Sequence, residues 1–157
     1  MMGPNRREFL IRSAGLGAAA ALASVVPAAS GNATPAMLDA AIRADVGEAA
    51  PQRGRLRLDV PPLVENGNAV PLTVAVDSPM TEADHVAAIH VFDEKNPQPH
   101  VISVALGPRA GRAKLSTRIK LADAQRVVAV AEMSDGSFWT ASADVIVTIA
   151  ACVEAIQ

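Results

Sequence analysis

Tyrosine is absent from this 157-residue chain, and its aromatics amount to Phe9, Phe92, Phe138 and Trp139. So few rings cannot build the stacking platforms on which single-stranded nucleic acid is read. Basic charge is equally scarce. Fourteen Lys and Arg against sixteen Asp and Glu give a net charge of -2, and no basic stripe tracks a phosphate backbone. Nucleic acid is excluded as a partner. A single cysteine, Cys152, leaves no internal disulfide and no cysteine-rich metal site. The histidines His85, His90 and His100 fall five and ten residues apart, which matches neither a helical i, i+4 pair nor a zinc signature. The chain lacks a phosphate-cradling glycine loop, a G-x-S-x-G elbow and an H-E-x-x-H helix. No cofactor and no enzyme constellation is expected beyond the lone thiol.

What is present begins with an address. Arg6 and Arg7 stand in Asn5-Arg6-Arg7-Glu8-Phe9-Leu10, and an apolar run of small residues continues from Ala14 to Val26. That order reads as a twin-arginine export signal covering residues 1–33. The run is shorter than the roughly 17–25 residues a membrane-spanning helix needs, so no membrane anchor is expected after processing. Cleavage between Ala28 and Ala33 removes three arginines and one glutamate. The mature chain then carries 11 basic and 15 acidic residues, a net charge of -4. The expected location is the periplasm, reached by export of the folded protein.

Residues 34–54 read as a short helix and a linker. Thr34 is a good N-cap, Pro35 suits the first helical position, Leu38, Ala41, Ile42 and Val46 share a face, and Gly47 stops the run. Residues 48–54 form the linker. From Arg55 the period drops from helical to two. Alternation runs through Leu56, Leu58 and Val60, then Leu72, Val74 and Val76, and through Ala113–Lys120, with further strand-like runs at Val86–Phe92 and Val101–Leu106. Val127–Met133, the Asp135-Gly136 turn and Phe138–Ala141 read as a hairpin, and Val145–Ile149 as a last strand. Seven or eight short strands with turn chemistry between them predict an antiparallel β-sandwich over residues 55–149.

Several segments together resemble the SoxY family of thiosulfate-oxidising carriers. They are Glu65-Asn66-Gly67 with Val70-Pro71, Asp77-Ser78-Pro79-Met80-Thr81, Ile89-His90-Val91-Phe92 with Asn96-Pro97, and Gly111-Arg112-Ala113-Lys114 leading to Ser116-Thr117-Arg118-Ile119. The run Ala129-Val130-Ala131-Glu132-Met133-Ser134-Asp135-Gly136-Ser137 with Trp139 is the most specific. The likeness spans roughly Leu56 to Cys152. It implies an all-β, immunoglobulin-like sandwich that acts as a carrier and not as an enzyme. It also implies a heterodimer with a SoxZ-like sandwich subunit. Sulfur intermediates would be held covalently on Cys152 and shown to a c-type cytochrome, a sulfate-releasing hydrolase and a molybdenum sulfane dehydrogenase.

The C-terminal arm, residues 150–157, departs from the family pattern. Where the family has Gly-Gly-Cys-Gly-Gly, this chain has Ala150 and Ala151 before Cys152, then Val153 and Glu154. Alanine gives up much of glycine's backbone freedom, and β-branched Val153 is stiff and broad. Glu154 puts a carboxylate two residues from sulfur, which opposes thiolate formation. Two readings of Cys152 stay open from the residues alone: a reactive terminal thiol, or a small buried hydrophobe at the end of a strand. The first makes a working carrier. The second makes a non-catalytic immunoglobulin-like binding subunit that has lost turnover.

The remaining residues of interest are read plainly. His90 is expected to be hydrogen-bonded within its strand and not to ligate a metal, and Met80 and Met133 to pack rather than bind copper. Of Phe138 and Trp139, one ring is expected to face the core and the other outward, toward a subunit interface. Arg109, Arg112, Lys114, Arg118 and Lys120 form either a solvated strand face or a docking surface for an acidic partner.

Overall fold

The computed structural model describes residues 33–151, so residues 1–32, where the sequence reading expects an export signal, and residues 152–157 lie outside it. Helix α1 (Pro35–Val46) opens with Thr34 in extended conformation, its hydroxyl accepting from the Met37 N–H at 3.4 Å. Gly47 ends it at φ 68, a left-handed position that glycine reaches without steric cost, and its N–H donates to the Arg43 carbonyl at 2.8 Å. The strands then follow in order: β1 (Leu56–Asp59), β2 (Leu63–Asn66), β3 (Val70–Val76), β4 (Val86–Asp93), β5 (His100–Ala105), β6 (Lys114–Ile119), β7 (Gln125–Met133) and β8 (Phe138–Ile149).

They form two sheets, β1-β3-β6 and β2-β8-β7-β4-β5. This is the all-β sandwich with a short leading helix that the alternation predicts. In β3, Val70, Leu72, Val74 and Val76 point inward and the residues between them do not. Ile89, Val91, Val127, Ala129, Ala131 and Val145 of the larger sheet meet them across the core. Each fully buried Val, Leu or Ile contributes about 1.5–3 kcal/mol. The other face of the larger sheet is apolar too. Phe92, Val128 and Val130 pack beneath Leu38 and Val46 of α1 in a second cluster. β4 and β7 are therefore covered on both faces, which explains their nearly continuous burial.

Three features differ from the sequence reading. β2 is an additional strand, and it runs parallel to β8, with Leu63 opposite Ile146 and Val64 opposite Val147; the other pairings among the named strands are antiparallel. Phe138–Ala141 and Val145–Ile149 are one strand, because Ser142 and Asp144 face away from the core while the ladder to β7 continues past them. The linker is stitched to β8: the Gln52 N–H donates to the Phe138 carbonyl at 2.8 Å, and the Thr140 N–H donates to the Gln52 carbonyl at 2.7 Å. The Asp135-Gly136 hairpin is present, with Gly136 at φ 80.

At the end of β4, Asp93 is fully buried. One carboxylate oxygen accepts from the Asn96 N–H at 3.3 Å, and the other has no partner. Burial pushes this carboxyl up to about 7, against the smaller opposing effect of the Asn96 hydrogen bond. Below pH 3.8 the folded and unfolded chains both hold the proton. From there to about 7 the unfolded chain releases it and the folded chain keeps it, so stability falls as pH rises and levels off above about 7. The full loss amounts to about 4 kcal/mol. Urea unfolding at pH 4 and pH 8 checks this: Asp93→Asn should lose less stability across that interval than the unaltered chain.

Candidate functional site at the root of the C-terminal arm

β8 ends at Ile149, Ala150 is exposed, and Ala151 is buried. The Ala151 N–H donates to the Leu121 carbonyl at 2.9 Å, and the Leu121 N–H donates to the Gly67 carbonyl at 2.8 Å. Three distant segments thus meet at the residue before Cys152: the short turn after β2, the β6–β7 connection, and the chain leaving β8. Gly67 makes the approach possible. A Cβ there would overlap the Leu121 carbonyl oxygen and lie 2.9 Å from the Ala151 nitrogen and 3.0 Å from Val147 Cγ1. Asn66 shapes the turn by accepting from the Asn68 N–H at 2.9 Å.

The β6–β7 connection is itself held. Asn96 donates its amide to the Lys120 carbonyl at 2.8 Å and accepts from the Ala122 N–H at 2.8 Å. Gln125 donates to the same Asn96 oxygen at 3.0 Å and accepts from the Lys95 N–H at 2.6 Å. Leu121, fully buried between these anchors, cannot shift without breaking them. Gly67 and Asn96 stand out in the sequence only as members of the family-like segments Glu65-Asn66-Gly67 and Asn96-Pro97. Their shared role depends on contacts between positions 24 residues apart and more, and no local pattern announces Gln125 or Leu121.

Of the residues assigned to the arm, Ala150 and Ala151 are placed, and Cys152, Val153 and Glu154 lie outside the described residues, as do Arg6 and Arg7. The Ala151 N–H is committed to the Leu121 carbonyl. Met80 and Met133 are both buried in the core, Met80 at φ 52. Trp139 packs against the inter-sheet core and carries the Arg55 guanidinium 5.7 Å above its ring. Phe138 faces the other way, as expected, but packs against the cluster beneath α1 instead of standing free for a partner. Lys114 and Arg118 are exposed on β6 beside Ser116, whose hydroxyl lies 3.0 Å from that of Thr73. Neither they nor Arg109, Arg112 and Lys120 join an ion pair among the described residues.

The family model described as sulfur oxidation protein SoxY matches residues 26–152. This chain belongs to the SoxY family. Among solved structures, the sulfur carrier protein SoxY from Chlorobium limicola f thiosulfatophilum is 31% identical, with 73% of this chain and 98% of that chain covered and a TM-score of 0.61. A superoxide reductase (neelaredoxin) from Ignicoccus hospitalis is 16% identical over 74% of this chain and 94% of its own, with a TM-score of 0.53. The superoxide reductase from Nanoarchaeum equitans is 11% identical over 61% and 100%, with a TM-score of 0.52. At such identities the reductases share the sandwich fold alone. None of the curated proteins matches the chain. Membership of the SoxY family supports a carrier role in sulfur oxidation, within a Sox system of partner proteins.

Replacing Gly67 by alanine should push Leu121 and Ala151 apart and lower stability by about 1–3 kcal/mol. The Ala151 amide should exchange its hydrogen faster than in the unaltered chain. Gly107→Ala, at a position with nothing within 4 Å, serves as the neutral control.

Proposed function

We propose that this SoxY protein is a periplasmic carrier, exported folded through the twin-arginine route, that holds thiosulfate-derived sulfur covalently on Cys152. The observation that carries this reading is the hydrogen-bonded root at Ala151, which fixes the chain one residue before the lone cysteine. A carrier thiol must leave the body of the protein from a defined point so that visiting enzymes find it, and the Gly67–Leu121–Ala151 contact supplies that point. The partners are a SoxZ-like sandwich subunit and, in turn, the c-type cytochrome, the sulfate-releasing hydrolase and the molybdenum sulfane dehydrogenase.

The same geometry supports a distinct mode of delivery. With Ala151 tied down and with Val153 and Glu154 flanking the thiol, this arm is shorter and bulkier than a glycine arm. Enzymes that accept it need wider entrances than those built for Gly-Gly-Cys-Gly-Gly. The binding-subunit reading draws on the same observation, since a pinned arm also suits a protein that binds partners without turnover.

Intact mass of the mature protein, isolated natively from the periplasm before and after reduction, separates the two readings. A mass excess that reduction removes and that maps to Cys152 supports the carrier, and its size identifies the sulfur species. An unmodified thiol that resists labelling until the protein unfolds overturns it. In turnover assays with glycine-arm Sox enzymes, glycine at 150, 151, 153 and 154 should raise the rate; an unchanged rate would show that arm composition is not limiting.

For the SoxZ-like subunit, the exposed pair Leu63 and Ile146 is the favoured contact. They are register neighbours on β2 and β8 and are 61% and 60% exposed, an apolar patch that a partner would cover. Ile146→Asp should abolish co-purification with that subunit and leave the thermal midpoint of the isolated chain unchanged.

A further inference from the structure

On the opposite edge of the larger sheet from β2, three elements bring their polar ends to one point. Asp45, in the last turn of α1, places a carboxylate oxygen 3.5 Å from His90 Nδ1 and 3.3 Å from His100 Nε2. The three donor atoms all lie within 4.8 Å of one another. The Ser103 hydroxyl completes the cluster, 2.6 Å from His90 Nδ1 and 2.7 Å from His100 Nε2.

The placement of His100 is not what regular pairing would give. Val91 pairs with Ile102, yet the next residue of β4, Phe92, pairs with His100, so Val101 is an extra residue. Without that bulge His100 would point to the face opposite Ser103. With it, His100 joins His90, Phe92 and Ser103 beneath the end of α1. A bulge that re-aims one side chain in this way is a recurrent device next to functional sites. Phe92 lies against both imidazoles, stacked on His90 at 6.3 Å and edge-on to His100 at 5.4 Å, which steadies both rings.

From this geometry we infer a divalent transition-metal site, formed by His90 Nδ1, His100 Nε2 and the Asp45 carboxylate, that suits zinc. A tetrahedral ion with bonds of about 2.0–2.2 Å holds neighbouring ligand atoms about 3.3–3.6 Å apart. The two Asp45–histidine distances already have that length. Two imidazoles and one carboxylate are a ligand set for borderline metals, and three protein ligands leave a position for water or for Ser103. His90 is buried, while Asp45 and His100 are open enough to solvent to admit an ion. His90 Nε2 has no hydrogen-bond partner, so its N–H lacks the acceptor that usually backs a metal-bound imidazole. That omission costs about 10–100-fold in affinity relative to a site with a backed imidazole. The bound ion would fasten α1 to the edge of the sheet. β7 stands between β4, which carries His90, and β8, so the site is separate from the root at Ala151.

The test is a zinc titration of the tag-free mature chain carrying Cys152→Ser, so that the thiol cannot compete, with cobalt absorption as a second readout. One equivalent should bind, and zinc should raise the thermal midpoint. His100→Gln and Asp45→Asn should each weaken binding at least tenfold and abolish the thermal rise, while His85→Gln, remote from the cluster, should change neither. Sub-stoichiometric binding, or the same affinity in His100→Gln as in His85→Gln, overturns the proposal. No response to zinc, combined with a lower midpoint for Asp45→Asn in metal-free buffer, also overturns it and identifies a hydrogen-bonded latch. If His100→Gln does not fold, Asp45→Asn decides.

Discussion

The larger sheet has two apolar faces, and everything else in the structure answers to that. β4 and β7 cannot expose either side to water, so one face must be roofed by β1, β3 and β6 and the other by α1. The helix is therefore part of the fold and not an appendage to it. Leu38 and Val46, near its two ends, carry the contact with Phe92, Val128 and Val130. The stitching of Gln52 onto β8 continues the same logic, because it holds the segment that links α1 to the first strand.

This two-sided burial also governs how much of the molecule was legible in the sequence. Strict alternation in Leu56–Asp59, Val70–Val76 and Lys114–Ile119 marks strands with one wet face, and these form the smaller sheet. The helix was legible from Thr34, Pro35 and Gly47, because capping chemistry is local. β2 was not legible. Its four residues are mostly exposed and follow a proline pair, and they become a strand only through parallel pairing with residues more than eighty positions away. The break that the sequence suggests between Ala141 and Val145 reflects the exposed Ser142 and Asp144, whose backbone remains in the ladder.

The candidate sites follow the same division. Cys152 stands out in any reading because it is the lone thiol, and the family likeness gives it a task. What fixes the chain before it, Gly67 to Leu121 to Ala151, is a set of backbone contacts among three segments, and backbone contacts leave little trace in residue type. Only the glycine betrays them. The Asp45–His90–His100 cluster is hidden for a related reason. Its ligands come from a helix and two strands, and a bulge decides which way His100 points, so no spacing rule could have assembled it.

The long β8 strand has a mechanical consequence. It is flanked by β7 for most of its length and by β2 near its end, and the chain beyond it is held at Ala151 by the Leu121 carbonyl. Tension applied along the strand axis would load these ladders in shear, many hydrogen bonds sharing the force at once, instead of peeling them apart one by one. The Ala151–Leu121 bond, first in line, would act as the fuse. Under such tension the chain end gives way there while the sandwich behind it stays folded.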